Sequence, residues 1–264
     1  MKHTLYTRWW VVLLALALVL PACKGRQKNE KEKPTATAKD AIPADLAKAY
    51  KEDAHRLAAR ELNSKRRSGD PQVNLPTERV DYFYQLLVQA YRMMQSEAEI
   101  PDLSYIHTRQ NPPLREIIVF LEPDCPFADE WKTGRTSTSN LYLNQVMGEH
   151  MLKIKSFNEG PIGTMAVLEA PKFINTKDLA FIFSNIEGVK SAEPNSVVGE
   201  SNDISWTTGG KNGYAIKFSK GWGDCPSGCI YRAYWSFYVG ENDELNYMGL
   251  SGDDPNQANS NGED

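Results

Sequence analysis

Cys225 and Cys229 carry the most specialised chemistry in the chain. They lie in the stretch Gly221-Trp222-Gly223-Asp224-Cys225-Pro226-Ser227-Gly228-Cys229, ahead of an alternating run from Ile230 to Val239. Two thiols at this separation can form a bridge, a dithiol redox pair or half of a metal site. The spacing is not C-x-x-C and no histidine lies nearby, which favours a structural disulfide over redox or metal chemistry. Gly228 can take a positive φ without a Cβ clash, and Pro226 fixes its own φ. Together they can fold the chain back until the two Cβ atoms reach bridging distance. Closing so short a loop contributes roughly 2 kcal/mol, so the bridge shapes the turn more than it holds the domain. Asp224 and Ser227 read as caps for exposed backbone N–H groups in that turn, not as acid and nucleophile.

The sequence has four cysteines. Cys23 closes Leu20-Pro21-Ala22-Cys23, after a positive start (Lys2, Arg8) and the apolar run Trp9 to Leu20. The run is too short and too N-terminal for a permanent span and reads as an export signal over 1–22. Its end resembles the bacterial lipobox, with an aliphatic residue, a small residue and then the cysteine; Pro21 departs from the usual choice. The resemblance implies that Cys23 becomes the mature N-terminus and carries lipid, a durable anchor at about 0.8 kcal/mol per buried CH₂. Lys24 follows in place of the Asp of an inner-membrane retention signal, so the expected destination is the outer membrane. Losing Lys2 and Arg8 takes the formal net charge from −4 to −6. That acidic balance argues against a nucleic-acid partner. Cys125 is then the odd thiol, expected to be buried and free, or an occasional long-range partner.

The remaining chemistry-bearing residues are dispersed. His55, His107 and His150 fall on separate elements without a second ligand at metal spacing, and His107 reads as structural. Glu122 and Asp124, and the adjacent Asp253 and Asp254, read as solvated acids. No nucleotide-binding, zincin or nucleophile-elbow motif occurs. The expectation is therefore no catalytic residue, no metal and no cofactor. One strand face is a candidate binding surface: Arg232, Tyr234 and Tyr238, with Ser236, alternate with the apolar Ala233, Trp235, Phe237 and Val239.

Hydropathy period supplies the frame. Residues 23–43 are polar and read as a flexible tether, whose lysines can touch anionic headgroups. Residues 44–113 form a helical region. Leu46, Tyr50, Ala54, Leu57 and Ala58 stripe the first helix; Val80, Phe83, Leu86, Leu87, Ala90, Tyr91 and Met94 stripe the second, from about Thr77 to Glu97. An antiparallel helical hairpin is expected, followed by a loop with a short extended piece at Tyr105-Ile106-His107. Over 114–199 the period alternates as strand (115–121), a connection holding Cys125 and Trp131 (123–134), helix (139–150), strand (151–157), strand (164–170), helix and extended segment (189–198). Asn175 and Asp178 are placed to cap the last helix and Gly188 to stop it. Residues 200–252 read as four strands of an antiparallel meander, and 253–264 as a disordered tail.

The order β-α-β-β-α-β is that of ferredoxin-like domains. Its close, Ile186-Glu187-Gly188-Val189-Lys190-Ser191-Ala192-Glu193-Pro194-Asn195, resembles the end of the propeptide domain of subtilisin-type proteases. That likeness implies a fold and an inhibitor-like surface; the catalytic segments of the protease are not in this sequence. Ala-Glu-Pro-Asn, Asn202-Asp203-Ile204 and the Gly-Asp-Cys and Cys-Ile segments, with Tyr-Trp-Ser-Phe-Tyr-Val after them, are similar to a group of uncharacterised exported bacterial proteins. The similarity implies an exported or lipid-anchored protein with a bridged turn, and no activity.

The expected protein is α+β: an N-terminal helical hairpin, a ferredoxin-like middle and a C-terminal β meander, the last two sharing one sheet or core. The expected function is that of a non-enzymatic cell-envelope lipoprotein. It would bind an envelope protein, a glycan or another surface component while anchored to the membrane by lipid. The alternatives are a protease-inhibitor-like module and, least favoured, a thiol-dependent or hydrolytic enzyme.

Overall fold

The computed structural model describes residues 42–65, 70–161, 163–196, 201–209, 213–225 and 228–256. Cys23 with its signal and most of the tether, Pro226 and Ser227, the end of the extended segment at Val198, and the tail from 257 lie outside the described residues.

The protein is mixed α and β, with two antiparallel four-stranded sheets and a few helices. Two long helices come first, α1 (Ala44–Lys65) and α2 (Thr77–Ser96), and they pack on each other. The striped positions explain why. Tyr50, Ala54, Leu57 and Ala58 are buried on α1, and Val80, Phe83, Leu86, Leu87, Ala90 and Met94 on α2.

The middle of the chain supplies β1 (Glu116–Leu121), α3 (Ala128–Lys132), α4 (Leu141–Glu149), β2 (Lys153–Gly160), β3 (Gly163–Glu169), α5 (Thr176–Phe183) and β4 (Val189–Pro194). Their strands form one sheet in the order β2-β3-β1-β4. Ile118 faces Val167 on one side and Glu193 on the other. The alternation of β1 puts Ile117, Val119 and Leu121 inward, against Phe127, Trp131, Leu143, Leu179 and Phe183. The segment expected to be a plain connection contains α3, because Trp131 must turn inward to fill this core and is fully buried there. A bulge between Ile154 and Ser156 carries β2 on to Gly160, past the expected end at Phe157.

The last quarter supplies β5 (Asp203–Gly209), β6 (Gly213–Trp222), β7 (Tyr231–Val239) and β8 (Leu245–Gly252), each paired with its sequence neighbour. On β7 the apolar alternates Ala233, Trp235, Phe237 and Val239 are buried, and the intervening residues are half-exposed.

The expectation that the middle and C-terminal segments share one sheet or core is corrected. The sheets are separate, and the C-terminal sheet packs its apolar face on the N-terminal helices. Tyr50, Leu57, Phe83 and Leu87 share a core with Ile204, Phe218, Trp235 and Phe237. Helices α3 to α5 cover the apolar face of the first sheet, whereas the inner face of β7 closes on the apolar stripes that α1 and α2 present together. Each large side chain buried between them gains about 1.5–3 kcal/mol over exposure.

A second correction concerns helix capping. Asn175 holds the N-cap position of α5, but its side chain makes no cap bond. Its amide exchanges hydrogen bonds with that of Asn63 at 3.2 Å and donates to Gln72 O, while Asp178 accepts from Gln72 N at 2.7 Å. Both residues are buried, so they satisfy the strap at 70–75 from below instead of the first turn of their own helix.

Candidate functional site

The C-terminal sheet and the helical pair meet the loop at 100–113 along one side of α1. Ala49, Glu52, Asp53 and Arg56 are spaced i, i+3, i+4, i+7 and so share one face, whose last three residues are polar. Arg60 continues it. Its guanidinium donates to Asp203 Oδ1 and Ile204 O, both at 2.9 Å, and to Arg109 O and Asn111 O at 3.0 and 3.1 Å. One side chain thereby ties α1, the loop and the start of β5 together. Arg109 N adds a bond to the same Asp203 oxygen at 2.8 Å. Leu103 and Ile106 anchor the loop from beneath; Tyr105 begins in a turn, and the short extended piece expected there is not formed.

Above this clamp lies a cleft of about 470 Å³, whose walls include Glu52, Asp53, Arg56, His107, Gln110 and Ser201. Asp53, only 1% exposed, is its most constrained member. Its Oδ1 accepts from Thr108 N at 2.8 Å and Thr108 Oγ1 at 2.6 Å, and its Oδ2 pairs with His107 Nδ1 at 2.8 Å. Burying a carboxylate is costly unless its lone pairs are met, and here three donors meet them. The hydrogen bond to Asp53 raises the His107 pKa above the ordinary histidine value, against the opposing effect of burial. The ring rests edge-on against Tyr50, whose phenol is held un-ionised by burial and by Asp53. His107 is half-exposed, and its Nε2 has no protein partner among the described residues. An imidazole fixed at one nitrogen by a buried carboxylate, with the other open to a cleft, can hold or pass a proton or donate to a ligand.

Sequence reasoning gave His107 a structural role, and it has one. That reasoning missed Asp53, Arg56 and Glu52 as the groups assembled with it. The polar stripe on α1 was a visible signal, but nothing in the sequence points from Asp53 to a loop 54 residues away.

The sequence-derived site residues fall elsewhere. Cys225 and Cys229 are bridged, and Gly228 has the positive φ (102°) the turn requires. The bridge packs so closely on Gly221 that a Cβ there would stand 2.5 Å from Cys229 Sγ. Cys125 is a buried free thiol whose pKa burial pushes up. Arg232 Nη1 is engaged with Ser201 O at 2.7 Å and Ser219 Oγ at 3.1 Å, and Gly221 N donates to the same Ser201 carbonyl. The bridged turn and Arg232 thus brace Ser201, on the rim of the cleft, from behind. Tyr234 lies against Gly252, and the Tyr238 ring covers Gly213. Arg232 and the two tyrosines share a strand face, yet each is committed to a different neighbour.

Among the described residues no cluster of three or more His, Cys, Asp or Glu could hold a metal ion, and no helix is long and apolar enough to cross a membrane. Comparison with protein-family models, curated proteins and solved structures gave no significant match.

Proposed function

We propose that the chain is an exported, lipid-anchored protein of the bacterial cell envelope that binds a polar ligand in the cleft beside α1 and does not turn it over. The observation that carries the binding reading is the buried Asp53, which accepts three hydrogen bonds that fix His107 and Thr108 at the cleft wall. A side chain so constrained serves to preorganise a surface. Binding is favoured over nucleophilic catalysis because, among the described residues, no hydroxyl or thiol is hydrogen-bonded to His107, and Thr108 Oγ1 is bonded to Asp53 instead. The anchor rests on the lipobox-like Leu20-Pro21-Ala22-Cys23 and on the polar tether behind it; Lys24 favours the outer membrane. The partners are then the membrane, through lipid on Cys23, and an envelope component that offers a small polar group.

Two measurements test this. Cys23→Ser should release the protein from membranes; unchanged fractionation with no lipid label on the wild type would refute the anchor. Native mass spectrometry of the purified full chain should reveal a non-protein mass that is lost in His107→Ala. If none is found, and envelope extracts leave the resonances of residues 105–110 unmoved, the cleft is not a ligand site.

A second reading is a protease-inhibitor-like module. The strand order β2-β3-β1-β4, with a helix-bearing crossover before β2 and another before β4, supports a ferredoxin-like split βαβ unit like that of subtilase propeptides. Titration against a panel of subtilisin-type proteases decides it: inhibition would support this module, and its absence across the panel would remove it.

A further inference from the structure

We infer that the cleft is built for an oxyanion, the carboxylate or phosphate group of a small molecule, held between the Arg56 guanidinium and the outer nitrogen of His107. This rests on the reading of the cleft as a ligand site and names what the site takes.

The argument starts from a comparison of arginines. Arg79 is paired with both oxygens of Glu61 at 2.8 Å, and Arg60 has four acceptors at 2.9 to 3.1 Å. Arg56 is more buried than either, at 11% side-chain exposure against 33% and 22%, yet it is poorly matched. Its Nη1 reaches Thr108 Oγ1 only at 3.4 Å and its Nη2 reaches Glu52 only at 3.7 Å. Its Nε is buried and has no acceptor among the described residues. Charge-assisted bonds of a guanidinium normally close to about 2.7–2.9 Å. The Nη groups of this cleft-lining residue therefore hold their protein acceptors only loosely, and the arrangement points to an acceptor supplied from the cleft.

The acids on the same stripe do not fill that role. Asp53 is already committed to three hydrogen bonds from Thr108 and His107. Glu52 is 40% exposed and makes only the long contact, so an incoming anion displaces it readily. Behind the rim Arg232 is desolvated and feels the charge of Arg109, with Asp203 acting in the opposite sense, and Arg109 Nε is buried without a partner among the described residues. The Nη donors of Arg56 beside the Nε2–H of protonated His107, whose Nδ1–H is given to Asp53, match the lone pairs of a carboxylate or phosphate. A volume of about 470 Å³ suits a small molecule.

The test is titration of the full chain with inorganic phosphate and with acetate, followed by the side-chain resonances of Arg56 Nε–H and His107. Both should move together and saturate. Arg56→Gln should weaken binding about tenfold or more, and Glu52→Gln, which removes the competing carboxylate from an exposed position, should tighten it. Binding should weaken as the pH rises through the His107 pKa; the groups facing that ring are Asp53, Glu52 and Arg56 from α1, Tyr50 beneath and Tyr105 on the loop. Vesicles bearing an anionic phospholipid form a separate arm, in which shifts at Arg56 and His107 would make a lipid headgroup the source of the anion. Saturable binding that Glu52→Gln and Arg56→Gln both leave unchanged overturns the inference. So does binding of an uncharged sugar at these resonances with no response to either anion, although the cleft would remain a ligand site. No response to any probe overturns both readings.

Discussion

Removing the Asp53 carboxylate should cost more stability than its small size suggests. In Asp53→Ala, Thr108 N–H and Thr108 Oγ1 lose their acceptor in a residue only 4% exposed, where water cannot replace it. Each such orphaned group costs about 1–3 kcal/mol. His107, at 39% side-chain exposure, can turn to water and adds little. Relief from burying the charge offsets part of the loss, leaving a net cost of about 3 kcal/mol. With a urea m-value of about 3 kcal/mol/M for a chain of this length, the midpoint should fall by about 1 M. The thermal midpoint should fall by about 6–12 °C. Urea unfolding followed by tryptophan fluorescence reads this directly. Asp53→Asn serves as the control, because it keeps an acceptor for Thr108 but removes the charge that favours His107⁺. It should cost less and should lower the His107 pKa measured by NMR. The pH dependence has a definite sign. The folded pKa of His107 is raised, so the stabilisation is full below the unfolded value of about 6.5 and fades as pH rises through the folded value. An Asp53→Ala midpoint within about 0.2 M of wild type would mean that the three hydrogen bonds contribute nothing and the preorganised wall does not exist.

Three other outcomes can be checked with the same unfolding assays. Gly188 sits at φ +87°, with Pro126 Cδ 2.8 Å and Cys125 Sγ 3.1 Å from where a Cβ would stand, so Gly188→Ala should lose about 1–3 kcal/mol. Replacing Cys225 and Cys229 with serine should lose no more than about 2 kcal/mol, since the bridge closes only a short loop; a larger loss would show that it holds the whole C-terminal sheet. Burial pushes the Glu61 carboxyl up, but hydrogen bonds from Arg79 and Lys65 outweigh it and hold the pKa below the carboxylate range. Its contribution is therefore present above about pH 4.3 and lost as pH falls through the folded value, and Glu61→Gln should flatten the acid limb of the stability curve.

What the sequence disclosed follows the range of each interaction. The stripes on α1 and α2, the alternation of β1 and β7 and the bridged turn are local patterns, and each lies close to where its period put it. The pairing of surfaces was hidden, because an apolar stripe states that it must be covered and not by what. The N-terminal helices and the C-terminal sheet are more than 100 residues apart, and only their joint fit selects one another over the middle sheet.

The cleft follows from that same pairing. Asp203 opens β5, and Arg60 can reach it only because the C-terminal sheet lies on α1; the resulting clamp fixes the loop that carries His107 beside Asp53. A sequence reading that joins the C-terminal strands to the middle sheet therefore cannot bring Arg60 to Asp203. Without that contact, Asp53, Arg56 and His107 remain three unrelated polar residues. The site is a by-product of which core the last sheet chose, and a variant that weakens the clamp, such as Arg60→Ala, should loosen residues 105–110 in hydrogen exchange before it unfolds either core. Uniform protection across loop and sheets in that variant would uncouple the cleft from the fold.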